Sequence, residues 1–272
     1  MKRASPLVCT TGAQLWQAAL PGPVVAVGVV GGVAFAGGDP GTLTAFDART
    51  GAVRWSVTRP GSLWSAPRVD AATGSVVTTW HGADQPHVEV FDLDSGATRW
   101  SAPTGGAAAA PVLAGHGAGA VVVVAAGDGR SAAAVEARAL GSGELRWRTS
   151  VPASFERAVE PAAGRHDIVV VDHFGTVTAL ALADGRIRWM RALEEPVLAT
   201  RVALVGARVV VTTYTGNLLV LGRADGRLVS AARPRDLGGY PVGGLAVRWG
   251  SRPAWCTGLR LGPATLALLR IP

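Results

Sequence analysis

A chain of 272 residues, 49% hydrophobic and only 17% charged, holds either two average domains or one large all-β domain. Glycine (36) and proline (17) are abundant, as expected for many short buried strands joined by tight turns. The net charge of +7 invites a nucleic-acid partner, but the distribution excludes it: Lys2 is the only lysine, and the arginines recur at equivalent places such as Arg54, Arg99, Arg146 and Arg188 rather than in an aromatic-interleaved patch.

Met1-Lys-Arg begins like a secretion signal, but Pro6, Thr10, Thr11 and Gln14 interrupt any apolar segment. Leu7-Val-Cys9 has the look of a lipoprotein cleavage site without its hydrophobic lead-in. As written the chain is expected to be cytoplasmic, and extracytoplasmic if an upstream signal or anchor was removed. No run reaches the roughly 18 apolar residues of a membrane span.

Ala13 to Leu20, with Trp16, reads as the first strand. Gly41 to Trp55 then sets out a unit that the chain repeats: Thr42 to Phe46 alternates polar and apolar residues, Asp47 to Gly51 is turn chemistry, and Ala52 to Val57 resumes as a strand carrying Trp55. A turn glycine followed four residues later by tryptophan recurs as Gly12/Trp16, Gly51/Trp55, Gly96/Trp100, Gly143/Trp147 and Gly185/Trp189, and then as Gly226 with Ser230 in the tryptophan place. The spacings are 39, 45, 47, 42 and 41 residues. A period of this length with four strand-like segments predicts a β-propeller blade.

Within a period the order is constant. A proline-containing lead opens the inner strand (Ala66-Pro67, Ala110-Pro111, Glu160-Pro161), and a strongly apolar strand follows (Val121 to Ala125, Ile168 to Val171, Val209 to Thr213). A polar turn and the two strands of the repeated unit complete it. Inner strands packed on both faces lose alternation, whereas outer strands keep it, and an arginine beside the outer tryptophan discourages strand addition. Gly244 to Trp249, Pro253 to Gly258 and Ala264 to Ile271 are three strands lacking a fourth. The N-terminal strand supplies it, so that the termini share one blade; six blades are preferred and seven is the alternative. One domain is expected over residues 1–272. Cys9 and Cys256 are either a disulfide or two core thiols; if they share the closing blade they touch, with a disulfide only in an oxidising compartment.

The units Asp47-Ala-Arg-Thr-Gly-Ala-Val-Arg-Trp55, Asp92-Leu-Asp-Ser-Gly-Ala-Thr-Arg-Trp100 and Gly175 to Trp189 resemble the repeat of pyrroloquinoline-quinone-like (PQQ-like) β-propellers. A WD-repeat propeller is the poorer match, with no Gly-His lead and no Trp-Asp pair. The resemblance implies that each outer tryptophan docks on a neighbouring blade's turn. Its family holds quinoprotein dehydrogenases, the propeller lipoprotein of the outer-membrane assembly machinery, and binding or sensor domains. The dehydrogenases have eight blades, adjacent paired cysteines and a Ca²⁺ site. This chain is too short for eight and has no adjacent cysteines, so no cofactor is expected, PQQ with Ca²⁺ included.

Loops before inner strands and between second and third strands gather on one propeller face, where ligands bind. The candidates there are Trp64, Glu156, Arg157, Glu160, Asp172, His173, Glu194, Tyr214, Arg235 and Tyr240, in loops that also carry Phe174, Glu195, Asn217 and Asp236. Glu160 stands where other units have Ala66 and Ala110, and a carboxylate there must line a wet channel or be paired, with Arg157 or Arg201 as partners. His81, Asp84 and His87 share one turn, but their spacing follows no metal-ligand rule. The expected function is a monomeric, non-catalytic binding or scaffold propeller for a protein partner or small ligand. The alternative is a propeller enzyme, quinoprotein-like or lyase-type, using Glu160, His173 and Arg157.

Overall fold

The computed structural model describes residues 15–63, 66–81, 85–108, 110–127, 133–152, 161–172, 174–197, 202–213, 215, 217–232, 247–248, 255–261 and 265–270. The chain divides into two compact units, residues 1–126 with 137–146, and residues 127–136 with 147–272.

Six antiparallel sheets follow one another among the described residues. The first pairs β1 (Val24–Val30), β2 (Val33–Gly38), β3 (Thr42–Asp47) and β4 (Val53–Thr58) in chain order. The second comprises β5 (Ser62–Leu63), β6 (Arg68–Asp70), β7 (Ser75–His81), β8 (His87–Asp92) and β9 (Thr98–Pro103). The third has β10 (Ala107–Ala108), β11 (Val112–Ala114), β12 (Val121–Gly127), β13 (Ala133–Ala139) and β14 (Leu145–Val151). In these two sheets the inner position is split: β5 and β6 both pair with β7, and β10 and β11 both pair with β12. Pro67 and Pro111 fall at the breaks, because proline donates no ladder hydrogen bond.

The fourth sheet is β15 (Ala162–Ala163), β16 (Asp167–Val171), β17 (Thr176–Ala181) and β18 (Ile187–Ala192). The fifth is β19 (Ala203–Val205), β20 (Arg208–Thr212), β21 (Leu218–Gly222) and β22 (Leu228–Ala232). Three strands form the last: β23 (Val247–Arg248), β24 (Trp255–Leu261) and β25 (Thr265–Arg270). The incomplete terminal set read from the sequence is therefore present; Cys9 lies outside the described residues, and of the proposed N-terminal complement, residues 13–20, the described Leu15 to Leu20 form no strand, with Ala19 alone a bridge residue, because Trp16 and Leu20 pack instead against Phe46 and the first sheet. No helix among the described residues is long and apolar enough to cross a membrane.

Burial follows strand position. The second strands β2, β7 and β16 are buried apart from His81 at the end of β7, whereas the outer strand β4 buries only Trp55 fully. The core lies between successive sheets, where Phe35, Leu43 and Trp55 meet Leu63, Trp80 and Phe91. In the second unit Val169, Val177 and Ala179 meet Val209, Val211 and Leu221.

The repeated turn does two jobs. Asp47 Oδ1 accepts the Arg49 and Thr50 N–H groups, and Asp92 Oδ1 accepts those of Asp94 and Ser95; these carboxylates close their own loops. Each tryptophan then reaches the following turn: Trp16 Nε1 donates to Ala48 O at 2.8 Å, Trp55 to Leu93 O at 2.9 Å, Trp100 to Leu140 O at 2.7 Å, Trp147 to Leu182 O at 2.8 Å and Trp189 to Arg223 O at 2.9 Å. The indole also lies flat on that turn's glycine. Gly96 has φ +70, and a Cβ there would sit 2.6 Å from Trp55 Cδ2. Gly96→Ala is therefore expected to cost about 2 kcal/mol or more, from left-handed strain and displacement of the ring, read as a lower urea midpoint.

The arginines beside these tryptophans are exposed, as expected of edge charges, and two of them also pair within their own hairpins. Arg54 pairs with Asp47 at 3.1 Å and Arg99 with Asp92 at 2.7 Å, because strand and turn of one hairpin bring the two charges together.

Candidate functional site

In the second unit three of the loop segments singled out from the sequence meet. The turn between β16 and β17 is closed by Asp172, which is buried and accepts the Thr176 N–H at 2.6 Å through Oδ1. The turn between β20 and β21 is built alike, with Thr213 Oγ1 accepting the Asn217 N–H at 3.1 Å. Between them runs the loop leaving β18. Its Leu193 N–H donates to Gly175 O, and the Glu195 carbonyl lies against Gly175 so closely that no Cβ fits there.

Glu195 then turns its carboxylate to the second turn, accepting Asn217 Nδ2–H at 2.6 Å and the Thr215 hydroxyl. Thr213 and Thr215 hydroxyls are 3.0 Å apart, and Asn217 also donates to Thr215 at 3.2 Å. One turn and one loop thus form a connected polar patch, Glu195–Thr213–Thr215–Asn217, with the other turn held against the loop at Gly175. Beside it, Phe174 is 60% exposed. Glu194 is exposed on the same loop. Of the residues predicted for the site, Asp172 and Glu194 are brought to this end of the second unit, Asp172 as a turn former. Trp64, Glu156, Arg157, Glu160, His173, Tyr214, Arg235 and Tyr240 lie outside the described residues.

The corresponding strand ends in the first unit hold a buried charge that sequence reading missed. Glu89, on β8, is almost fully buried. Arg59 reaches it across the sheets with two nitrogens, Nε at 3.0 Å and Nη2 at 2.7 Å, while Thr98 Oγ1 donates at 2.7 Å and His87 Nε2 lies 3.8 Å away. Burial pushes the Glu89 carboxyl up, but the neighbouring His87 imidazole and the hydrogen bonds from Arg59 and Thr98 outweigh it and hold the carboxyl at about 2. The same contact with Glu89 raises His87, whereas burial lowers His81. Arg59 also stacks 5.5 Å from the Phe91 ring centroid. The available signal was a departure from the repeat: Glu89 stands where Thr44 and Thr178 stand in β3 and β17.

Asp167 and Arg223 make another such lock in the second unit, at different strand positions, with Arg223 Nε donating to Oδ2 at 2.7 Å and Nη2 to Oδ1. These pairs are enclosed by sheet packing, so they act as structural clamps. No group of three or more metal-ligating side chains occurs among the described residues.

The chain matches the family described as outer membrane protein assembly factor BamB over residues 5–160 and again over 131–231. It belongs to this family of PQQ-like β-propellers. No match is found among curated proteins. Among solved structures, BamB from Moraxella catarrhalis is similar at 18% identity and a TM-score of 0.70, covering 97% of this chain and 82% of that one. The C-terminal WD40 domain of Sif2 aligns at 15% identity and a TM-score of 0.75, over 96% and 74% of the two chains. Quinohemoprotein alcohol dehydrogenase ADHIIG from Pseudomonas putida aligns at 14% identity and a TM-score of 0.58, over 85% of this chain but 51% of the dehydrogenase. Such likenesses establish the fold: an all-β propeller of four-stranded antiparallel sheets, as the PQQ-like repeat led us to expect.

Proposed function

We propose that this PQQ-like propeller is a non-catalytic protein-binding scaffold whose partner rests on the loop end carrying Phe174 and the Glu195–Asn217 patch. The observation that carries the reading is the pairing of an exposed aromatic with a ready-made set of donors and acceptors. Protein interfaces use this combination, an aromatic anchor within a polar surround. Gly175 and the Asp172 turn fix the anchor, while β20 and β21 hold the hydroxyls and amide in place, so little order has to be gained on binding. The match to a family named for an assembly factor supports the same reading.

A photo-crosslinking residue replacing Glu194 tests it in cells, with Asp184, in the turn at the opposite end of β17, as the control position. One discrete protein adduct is expected from position 194 and none from 184, and Phe174→Ala should weaken capture by about tenfold or more without lowering Tm. Equal labelling at both positions, or turnover or saturable small-molecule binding with no protein adduct, would overturn the proposal.

A further inference from the structure

We infer that the outer edge of the fifth sheet is a strand-addition site for an extended partner segment with an apolar centre and acidic ends. The inference rests on the protein-binding reading above but uses a different surface.

Among the five outer strands β4, β9, β14, β18 and β22, the first four carry an arginine immediately before the tryptophan: Arg54, Arg99, Arg146 and Arg188. In β22 Val229 takes the arginine place and Ser230 the tryptophan place, leaving Leu228-Val-Ser-Ala-Ala232 without a charge. Leu228 is 48% and Val229 45% exposed, and Ala231 and Ala232 are exposed as well. Among the described residues the strand pairs only with β21, in the register Leu219↔Ala231 and Val220↔Ser230, so its other row of N–H and C=O groups has no strand on it there. An uncharged, exposed edge is the kind to which a further strand adds through backbone hydrogen bonds.

Charge selects the occupant. Arg227 heads the strand, and Arg188 and Arg191 lie on β18, whose Trp189 rests on Gly226 just before it. All three arginines are exposed and have no ion-pair partner among the described residues. The nearby Asp225 Oδ1 already accepts the Arg227 N–H at 3.1 Å. A second copy paired antiparallel about Ser230 would bring its own Arg227 to an edge already flanked by Arg188 and Arg191, basic against basic. An acid-ended segment meets the same arginines with opposite charge.

The probe is a labelled peptide, acetyl-Glu-Asp-Val-Thr-Val-Thr-Val-Asp-Glu-amide, titrated with the full chain by fluorescence anisotropy. Saturable binding is expected. It should weaken by about tenfold or more on methylating alternate peptide nitrogens, which removes backbone donors and keeps the charges, and equally with Leu228→Glu/Val229→Glu. Both positions are exposed, so this variant should hold Tm to within about 2 °C; if it does not, Ser230→Glu takes its place. The proposal is overturned if the parent peptide does not saturate, if the methylated peptide binds as well, if the variant binds unchanged, or if the edge proves to pair two copies in sedimentation. A failed peptide together with a protein adduct at position 194 removes the edge site and leaves the loop-end reading intact.

Discussion

Trp55→Ala is expected to lower the unfolding free energy by about 3–5 kcal/mol, seen as a large fall in the urea midpoint. The ring is buried between sheets, 5.9 Å from Phe35 and 6.2 Å from Phe91 by centroid. Truncation leaves a cavity in the core that also holds Leu63 and Trp80, and leaves the Leu93 carbonyl without its indole donor. It also uncovers Gly96, loosening the turn that the next hairpin depends on. Ser230→Ala is the internal comparison, at the equivalent place without an indole, and should stay within about 0.5 kcal/mol of the parent. A Trp55→Ala loss below about 1 kcal/mol would show that the docking of strand on turn is not what holds these sheets together.

Arg59→Ala should be nearly as damaging, at about 3–5 kcal/mol, because it leaves the Glu89 carboxylate buried without its main partner. Glu89→Gln removes the charge itself and should cost less. The two changes combined should fall well short of their sum, and additivity would sink the claim of a coupled pair.

The pH dependence has a definite sign. The folded-state value of Glu89, about 2, lies below its ordinary 4.5. Its stabilisation is therefore present above pH 4.5 and is lost as pH falls from there toward 2, a contribution of about 3 kcal/mol. His87 is raised from 6.5, so its contribution is complete below pH 6.5 and is lost as pH rises through the folded value. Denaturation midpoints of Glu89→Gln measured from pH 5 to 2 should accordingly fall less steeply than those of the parent.

What was legible in the sequence was local. Asp47, Thr50, Gly51 and Trp55 lie within nine residues, and a turn that needs a side-chain acceptor and a left-handed glycine leaves its mark on adjacent letters. The proline-led inner strands, the apolar second strands and the unfinished terminal set were readable for the same reason. In the site, the loops of Asp172, Glu194–Glu195 and Asn217 could be named as segments, but not the contacts between them. Asp172 drew notice as an acid in a loop, yet its carboxylate closes a turn, a role it shares with Thr213; the two residue types look unrelated until their N–H partners four residues on are seen.

Glu89 and Arg59 mark the limit from the other side. They are 30 residues apart, and nothing local ties a carboxylate in β8 to the arginine that follows β4. By itself the sequence determined the repeated hairpin, its glycine-tryptophan phase and hence the propeller family, since these rest on backbone conformation and strand periodicity. Only the tertiary structure decided which charges were locked away and which polar groups met at a loop end. Those outcomes depend on how one sheet's register falls against the next, where burial makes an unpaired charge costly and so selects partners distant in the chain.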